Sequence, residues 1–189
     1  MDGTEPRFTP YVMEDRFLIG AKVEKALNDQ INAELYSAYL YLAMSAYFQS
    51  ISLNGFASWM QVQAQEEVGH AMKMYAFLQD RDGTIELQAI DAPEKEWDSP
   101  LAAFGAALAH EQKVTALIGS LVEISVQEKD HAAQTFLQWF VTEQVEEEAT
   151  AGDIVGKLKL VGNEGNGLFL MDGELAQRQA APDGEAEAE

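Results

Sequence analysis

The chain contains no cysteine in 189 residues. That absence excludes a disulfide scaffold, a thiolate zinc site, an iron–sulfur cluster and a cysteine nucleophile. Positive charge is also scarce: 12 Lys and Arg stand against 32 Asp and Glu, a net charge of −20. Binding phosphates needs a basic face, so nucleic acid is excluded as a partner class and cations are favoured. No segment reaches the roughly 18–20 continuous apolar residues needed to span a bilayer, so no membrane partner is expected. The opening residues, Met1-Asp2-Gly3-Thr4-Glu5-Pro6-Arg7, lack the basic end and apolar run of a secretory signal, which makes the cytoplasm the expected compartment. Alternating strand and helix patterns, the mark of an α/β fold, are missing too.

Apolar residues make up 47% of the sequence, enough for a globular core in one domain of ordinary size. Residues 1–16 hold Gly3, Pro6 and Pro10 with no clear period and are expected to form an N-terminal extension. The last ten residues, AAPDGEAEAE, carry four acids and no base, so 180–189 are expected to be a solvated acidic tail. Residues 17–179 between them form the folded body.

Four long stretches in that body have helical spacing. The first runs from about Gly20 to Gln49 and the second from Asn54-Gly55 to Asp82-Gly83. Ser99-Pro100 opens the third, with serine suited to the N-cap and proline to the first helical position. Asp130 caps the fourth, which fades near Gly162, and a shorter helix is expected from Gly167 to Gln179. Each long stretch is roughly 25–30 residues, about 40 Å of helix. The first-to-second and third-to-fourth links are short, which predicts antiparallel hairpins. The link from Gly83 to Ser99 is long enough to return the chain to the other end of a bundle. The expected fold is therefore all-α: a ferritin-like four-helix bundle with one long crossover and a short fifth helix.

Steps of three and four trace a core stripe on each helix. The first stripe is Leu27, Ile31, Glu34, Ala38, Tyr41, Ser45, Phe48. The second is Phe56, Met60, Gln63, Glu67, His70, Met74, Phe77. The third is Leu101, Phe104, Leu108, Glu111, Thr115, Ile118, Val122, and the fourth is Ala133, Leu137, Phe140, Gln144, Glu147, Ala151, Ile154, Leu158. Each is apolar at both ends and carries a carboxylate near its middle. An ionised acid in an apolar interior is costly unless paired, and no Lys or Arg lies on any stripe. Four carboxylates and an imidazole at mid-bundle would repel one another, whereas two divalent cations neutralise them. Glu67 and His70 at i, i+3 project from one turn of one face. A Glu-x-x-His on one bundle helix with glutamates from the others is the ligand set of di-iron carboxylate proteins, and oxygen donors with one nitrogen suit iron or manganese.

Other positions carry two readings. Gln144 either adjoins or bridges the metals or is a plain buried amide. Tyr41, on the face of Glu34, either donates an electron or orients a ligand, or simply packs with one hydrogen bond. Glu66, Glu143 and Glu146 either complete a further cation site beside the pair or form a solvated acidic face. Trp139 and the methionines read as packing. His110 lies about 100° round the helix from Glu111 and is not expected to share its metals. Glu128-Lys129-Asp130-His131 also fits Glu-x-x-His, but it sits off the stripes and reads as a turn and cap.

Asn32-Ala33-Glu34-Leu35-Tyr36-Ser37-Ala38-Tyr39, Ala64-Gln65-Glu66-Glu67-Val68-Gly69-His70 and the run from Phe136 to Glu148 resemble the bacterial non-haem ferritins, over roughly residues 17–178. The resemblance implies a ferroxidase centre in which Glu34, Glu67 and His70 hold a first iron. Glu67 would bridge, with Glu111 and Glu147 completing the second site and Gln144 nearby. Glu66, Glu143 and Glu146 would form the third site, with Tyr41 beside the centre. It further implies a homo-oligomeric cage of twenty-four subunits that oxidises Fe(II) with O2 or H2O2 and stores a ferric oxyhydroxide mineral. Haem is not expected: bacterioferritins place a haem-ligating methionine after the bridging glutamate, where this chain has Val68, and repeat Glu-x-x-His in the fourth helix, where Glu147 is followed by Thr150. The rival reading is a cation-binding or structural bundle without turnover.

Overall fold

The structure is a computed structural model and describes residues 19–162 and 165–179. The expected N-terminal extension and acidic tail lie outside the described residues. Among these, five helices and no strand are found: α1 Ala21–Ser50, α2 Asn54–Asp80, α3 Pro100–Gln127, α4 His131–Val161 and α5 Gly165–Leu175.

The helix starts follow the local chemistry. The Ser99 hydroxyl accepts from Ala102 N at 3.1 Å with Pro100 in the first turn, and Asp130 accepts from Ala133 N at 3.0 Å. Asp130 also takes both arms of Arg81 at 3.1 Å, tying the end of α2 to the start of α4. Lys129 turns the chain there with φ 55°, and Glu128 pairs with Lys22 at 2.7 Å. The second Glu-x-x-His is therefore a turn and a cap, as its position off the stripes implies.

The crossover lies along α1. Asn28 donates to Thr84 O at 2.8 Å and accepts from Glu86 N at 2.7 Å, Asn32 donates to Ala89 O at 3.1 Å, and Trp97 packs edge-on against Tyr47 at 5.3 Å. The link thus starts near the beginning of α1 and finishes near its end, delivering α3 to the opposite pole of the bundle.

The core is divided in two. Phe48, Phe56, Phe104 and Leu158 pack at one pole, and Leu27, Met74, Leu78, Ile118 and Leu137 at the other. The polar residues of the stripes fill the layer between.

Four expectations need correction. The seam of α3 is carried by Ala103, Ala107, Val114 and Leu121, while Leu101, Leu108, Thr115 and Val122 are only half-buried. Phe77 is half-buried and stacks on Phe136, with rings 4.0 Å apart and 7° from parallel, whereas Leu78 takes the core position. The fifth helix runs Gly165–Leu175 instead of from Gly167 to Gln179. Its chain leaves the helix in tight turns, with Gln177 N donating to Glu174 O and Arg178 N to Leu175 O. Among the methionines, Met44, Met60, Met74 and Met171 are core filler, but Met72 is exposed.

Candidate metal centre

Glu34, Glu67, His70, Glu111, Gln144 and Glu147 all come together buried in the layer between the two apolar poles. Each side chain is set by a neighbour on its own helix or across the bundle. Gln30, one turn before Glu34, donates to its Oε1 at 2.9 Å. Gln63, fully buried and one turn before Glu67, donates to Glu67 Oε1 at 3.0 Å and to Glu147 Oε2 at 2.8 Å. The Tyr41 hydroxyl donates to Glu111 Oε1. Gln144 Nε2 reaches Glu111 Oε2, Glu111 O and Thr115 Oγ1, each at 3.3 Å. The His70 ring lies edge-on to Trp139 at 5.3 Å and to Phe140 at 6.2 Å, and its Nδ1 is 3.4 Å from Glu67 Oε2.

Two groups of ligand atoms converge within 4.8 Å among the described residues: Glu34 with Glu67 and His70, and His70 with Glu143 and Glu147. Glu34 Oε2 is buried with no hydrogen-bond partner. An orphaned carboxylate oxygen in an apolar interior is rare, and beside Glu67 and His70 it fits an ion as its partner. The donor set, carboxylate oxygens with one imidazole, fits a hard or intermediate divalent cation.

The grouping differs from the sequence expectation in one respect. Glu143 is half-buried and converges on His70 and Glu147, Glu146 is exposed, and Glu66 pairs with Arg178 rather than facing an open site. His110 points away, with its Nε2 at 2.8 Å from the Ser37 hydroxyl and its ring against Tyr36. Burial, with Lys113 nearby, pushes the His110 imidazole down to about 4, so it is neutral.

The electrostatics are those of crowded, dehydrated acids. Burial, reinforced by the charge of Glu67, pushes the Glu34 carboxyl up to about 8 from an ordinary 4.5. Burial and then Glu111 push Glu147 up to about 7. Glu67 is raised well above the carboxylate range by burial and by Glu111 and Glu147. Burial also raises Glu111, although the hydrogen bonds from Tyr41 and Gln144 oppose it. Without cations Glu34 and Glu147 hold protons near neutral pH. Protons on the folded state that the unfolded chain has already lost make stability fall as pH rises. For Glu34 the contribution is complete below about 4.5 and gone above about 8. Thermal unfolding in chelator is therefore expected to give a lower Tm at about pH 8.5 than at about pH 6, and saturating Zn2+ should abolish or reverse that slope.

Sequence reasoning missed three contributors: Gln30, which lies off the traced stripe of α1, Gln63 and Arg178. Gln63 was visible on its stripe one turn before Glu67, yet its contact with Glu147 is a tertiary fact. Arg178 lies beyond α5 and gave no local signal.

A four-helix bundle with one long crossover and inward glutamates around a Glu-x-x-His defines the ferritin-like class. Comparison with known proteins narrows this. The Ferritin family, described as a ferritin-like domain, matches residues 24–161. The chain is 45% identical to the bacterial non-heme ferritin of Bacteroides fragilis over 161 residues, which is 85% of this chain and 100% of that protein. It is 43% identical to that of Campylobacter jejuni over 155 residues, 82% of this chain and 93% of that protein. Among solved structures, the open pore ferritin of Archaeoglobus fulgidus is 56% identical with a TM-score of 0.85, covering 85% of this chain and 99% of that one. The chain belongs to the ferritin family and is an iron-storage protein.

Proposed function

We propose that the chain is a ferroxidase, with two Fe(II) ions as substrate bound side by side at mid-bundle. Glu34, Glu67 and His70 hold one ion, Glu67 spans to the other, and Glu111 and Glu147 complete it with Gln144 alongside. The observation that carries this reading is the buried Glu34 oxygen without a partner beside Glu67 and His70. Two Fe(II) ions give up one electron each, and O2 takes both with two protons to form H2O2, so no one-electron product is released. H2O2 is the alternative oxidant. The ferric ions pass to an oxyhydroxide mineral inside a closed cage of twenty-four copies.

This chain's own residues prepare the site. Gln30 and Gln63 orient three carboxylates, and Trp139 and Phe140 brace the His70 ring. Burial and Glu111 keep the Tyr41 phenol protonated, so it acts here as a donor that orients Glu111. Exposed Tyr39, Phe169 and Leu170 support assembly with further copies.

Aerobic addition of Fe(II) to metal-free protein is expected to produce ferric absorbance in a fast phase that saturates near two irons per subunit. Elution as a large assembly with no oxidation beyond that in buffer would indicate a cation-binding bundle without turnover. Glu143 and Glu146 separate the phases of this reaction. Glu146→Ala is expected to leave the fast phase intact and change the later course, read as O2 consumed per iron. Glu143→Ala should have the larger effect of the two, because its carboxylate converges on His70 and Glu147. Identical traces for wild type and both variants would show that these glutamates are a solvated acidic face.

A further inference from the structure

Arg178 comes from outside the four helices and is anchored at three points. Its guanidinium lies 4.2 Å from the centroid of the Trp59 ring. Its Nη1 donates to Gln63 Oε1 at 2.7 Å, and its Nη2 donates to Glu66. About a fifth of the side chain is exposed. The whole segment is held in place by α5, where Asp172 accepts from Gly55 N at 2.7 Å and Phe56 N at 3.1 Å, capping α2.

The contact with Gln63 has a consequence for the site. An amide can present either its oxygen or its NH2 to a neighbour, but guanidinium has only donors. With Arg178 on Oε1, the Gln63 NH2 must face inward, where it donates to Glu67 and Glu147 together. That orientation favours the ionised carboxylates that a cation needs. The flipped amide would turn its oxygen toward them and oppose it. The second arm has the opposite effect: while Glu66 is paired with Arg178, a cation must compete for that carboxylate. The charge of Arg178 also reaches Glu147, whose carboxyl it pulls down against the effect of burial.

We propose that Arg178 is a positioning residue of the metal centre. It fixes the Gln63 amide so that Glu67 and Glu147 are presented to the paired metals, and it holds Glu66 in reserve so that a cation enters beside the pair only by displacing it. This rests on the metal-centre reading above. It makes the order of filling, pair first and neighbour second, a property of one side chain. It also ties that order to the docking of α5.

Zn2+, which binds oxygen and nitrogen ligands without redox chemistry, is the probe. Calorimetric titration of the assembled full chain is compared for wild type, Arg178→Gln, Arg178→Lys and Gln63→Leu. Arg178→Gln is expected to weaken the tight class of sites about tenfold, and the weak class should tighten by a similar factor as Glu66 is freed. Lysine restores the ion pair to Glu66 but not the two-armed fork, so Arg178→Lys should return the weak class to its wild-type affinity and leave the tight class weakened. Gln63→Leu should weaken the tight class alone. A merely structural role for Arg178 would move all sites in one direction, or leave them unmoved, and lysine would rescue both classes together. Either pattern overturns the proposal. If Arg178→Gln does not fold, Arg178→Lys and Gln63→Leu decide together: both should weaken the tight class and leave the weak class unmoved, and a wild-type tight class in either overturns the proposal. Wild-type protein that takes up no Zn2+ at mid-bundle would instead remove the metal-centre reading on which the proposal stands.

Discussion

Glu67→Ala is expected to lower the fast phase of Fe(II) oxidation at least about a hundredfold, while the protein still folds and assembles. Glu67 faces both halves of the centre: it groups with Glu34 and His70, and through Gln63 it shares a hydrogen-bond donor with Glu147. In the proposed centre its loss would leave the two irons without a common ligand, and the two electrons O2 requires would no longer be delivered together. The cost to stability should be small, within about 1–2 kcal/mol. A cavity opens and Gln63 loses one of its two carboxylate partners. Against that, Glu34 keeps the burial that chiefly raises it but loses the added effect of Glu67, so its carboxyl should fall from about 8. Stopped-flow absorbance and a thermal melt on the same sample test both halves. A wild-type rate would remove Glu67 from the centre.

The second large effect concerns α5. A Cβ at Gly55 would lie 1.7 Å from the carbonyl oxygen of Asp172 and 2.6 Å from its carbonyl carbon, a collision with backbone that no side-chain rotation relieves. Gly55→Ala must therefore push α5 away from α2. The first turn of α2 then loses Asp172, since Leu53 at its N-cap offers no side-chain acceptor. Met171 and Leu175 also lose their burial in the apolar pole that includes Phe56 and Trp59. A lost cap costs about 1 kcal/mol and each uncovered apolar side chain about 1.5–3 kcal/mol, so a destabilisation of several kcal/mol is expected. Arg178 would leave Gln63 with the same movement, so the tight Zn2+ sites should weaken as well. Proteolysis expected between α4 and α5 in the variant, and not in wild type, reports the undocking directly. An unchanged melt and digestion pattern would show that α5 contributes nothing to the fold.

Most of the fold was legible because its signals are local. Ser99-Pro100 and Asp130 start helices through their own side chains, and the stripes of α1 and α4 keep one period from end to end. Every residue traced on those two stripes is buried. α3 was harder because apolar side chains surround more of it. Stepping from Leu101 follows one edge of that broad arc, whereas Ala103 and Ala107 permit close approach and occupy the seam. The metal centre was legible for a different reason: acids on an apolar stripe conflict with burial, and that conflict is visible in one dimension. Gln63 and Arg178 pose no such conflict. Their importance comes from which atoms meet across α2, α4 and the segment after α5. The early end of the fifth helix belongs with them, since Ala176-Gln177-Arg178 has good helical propensity and tertiary contact overrides it.

The central claim is that Fe(II) is oxidised in pairs at mid-bundle by Glu34, Glu67, His70, Glu111 and Glu147. Its most direct measurement is to load two Fe(II) per subunit anaerobically, admit O2, and record iron oxidised against O2 consumed in wild type. Two irons oxidised per O2 in a single fast phase, with Zn2+ added beforehand suppressing it, is the predicted result. Four irons per O2 at the rate seen in buffer, indifferent to Zn2+, would contradict it.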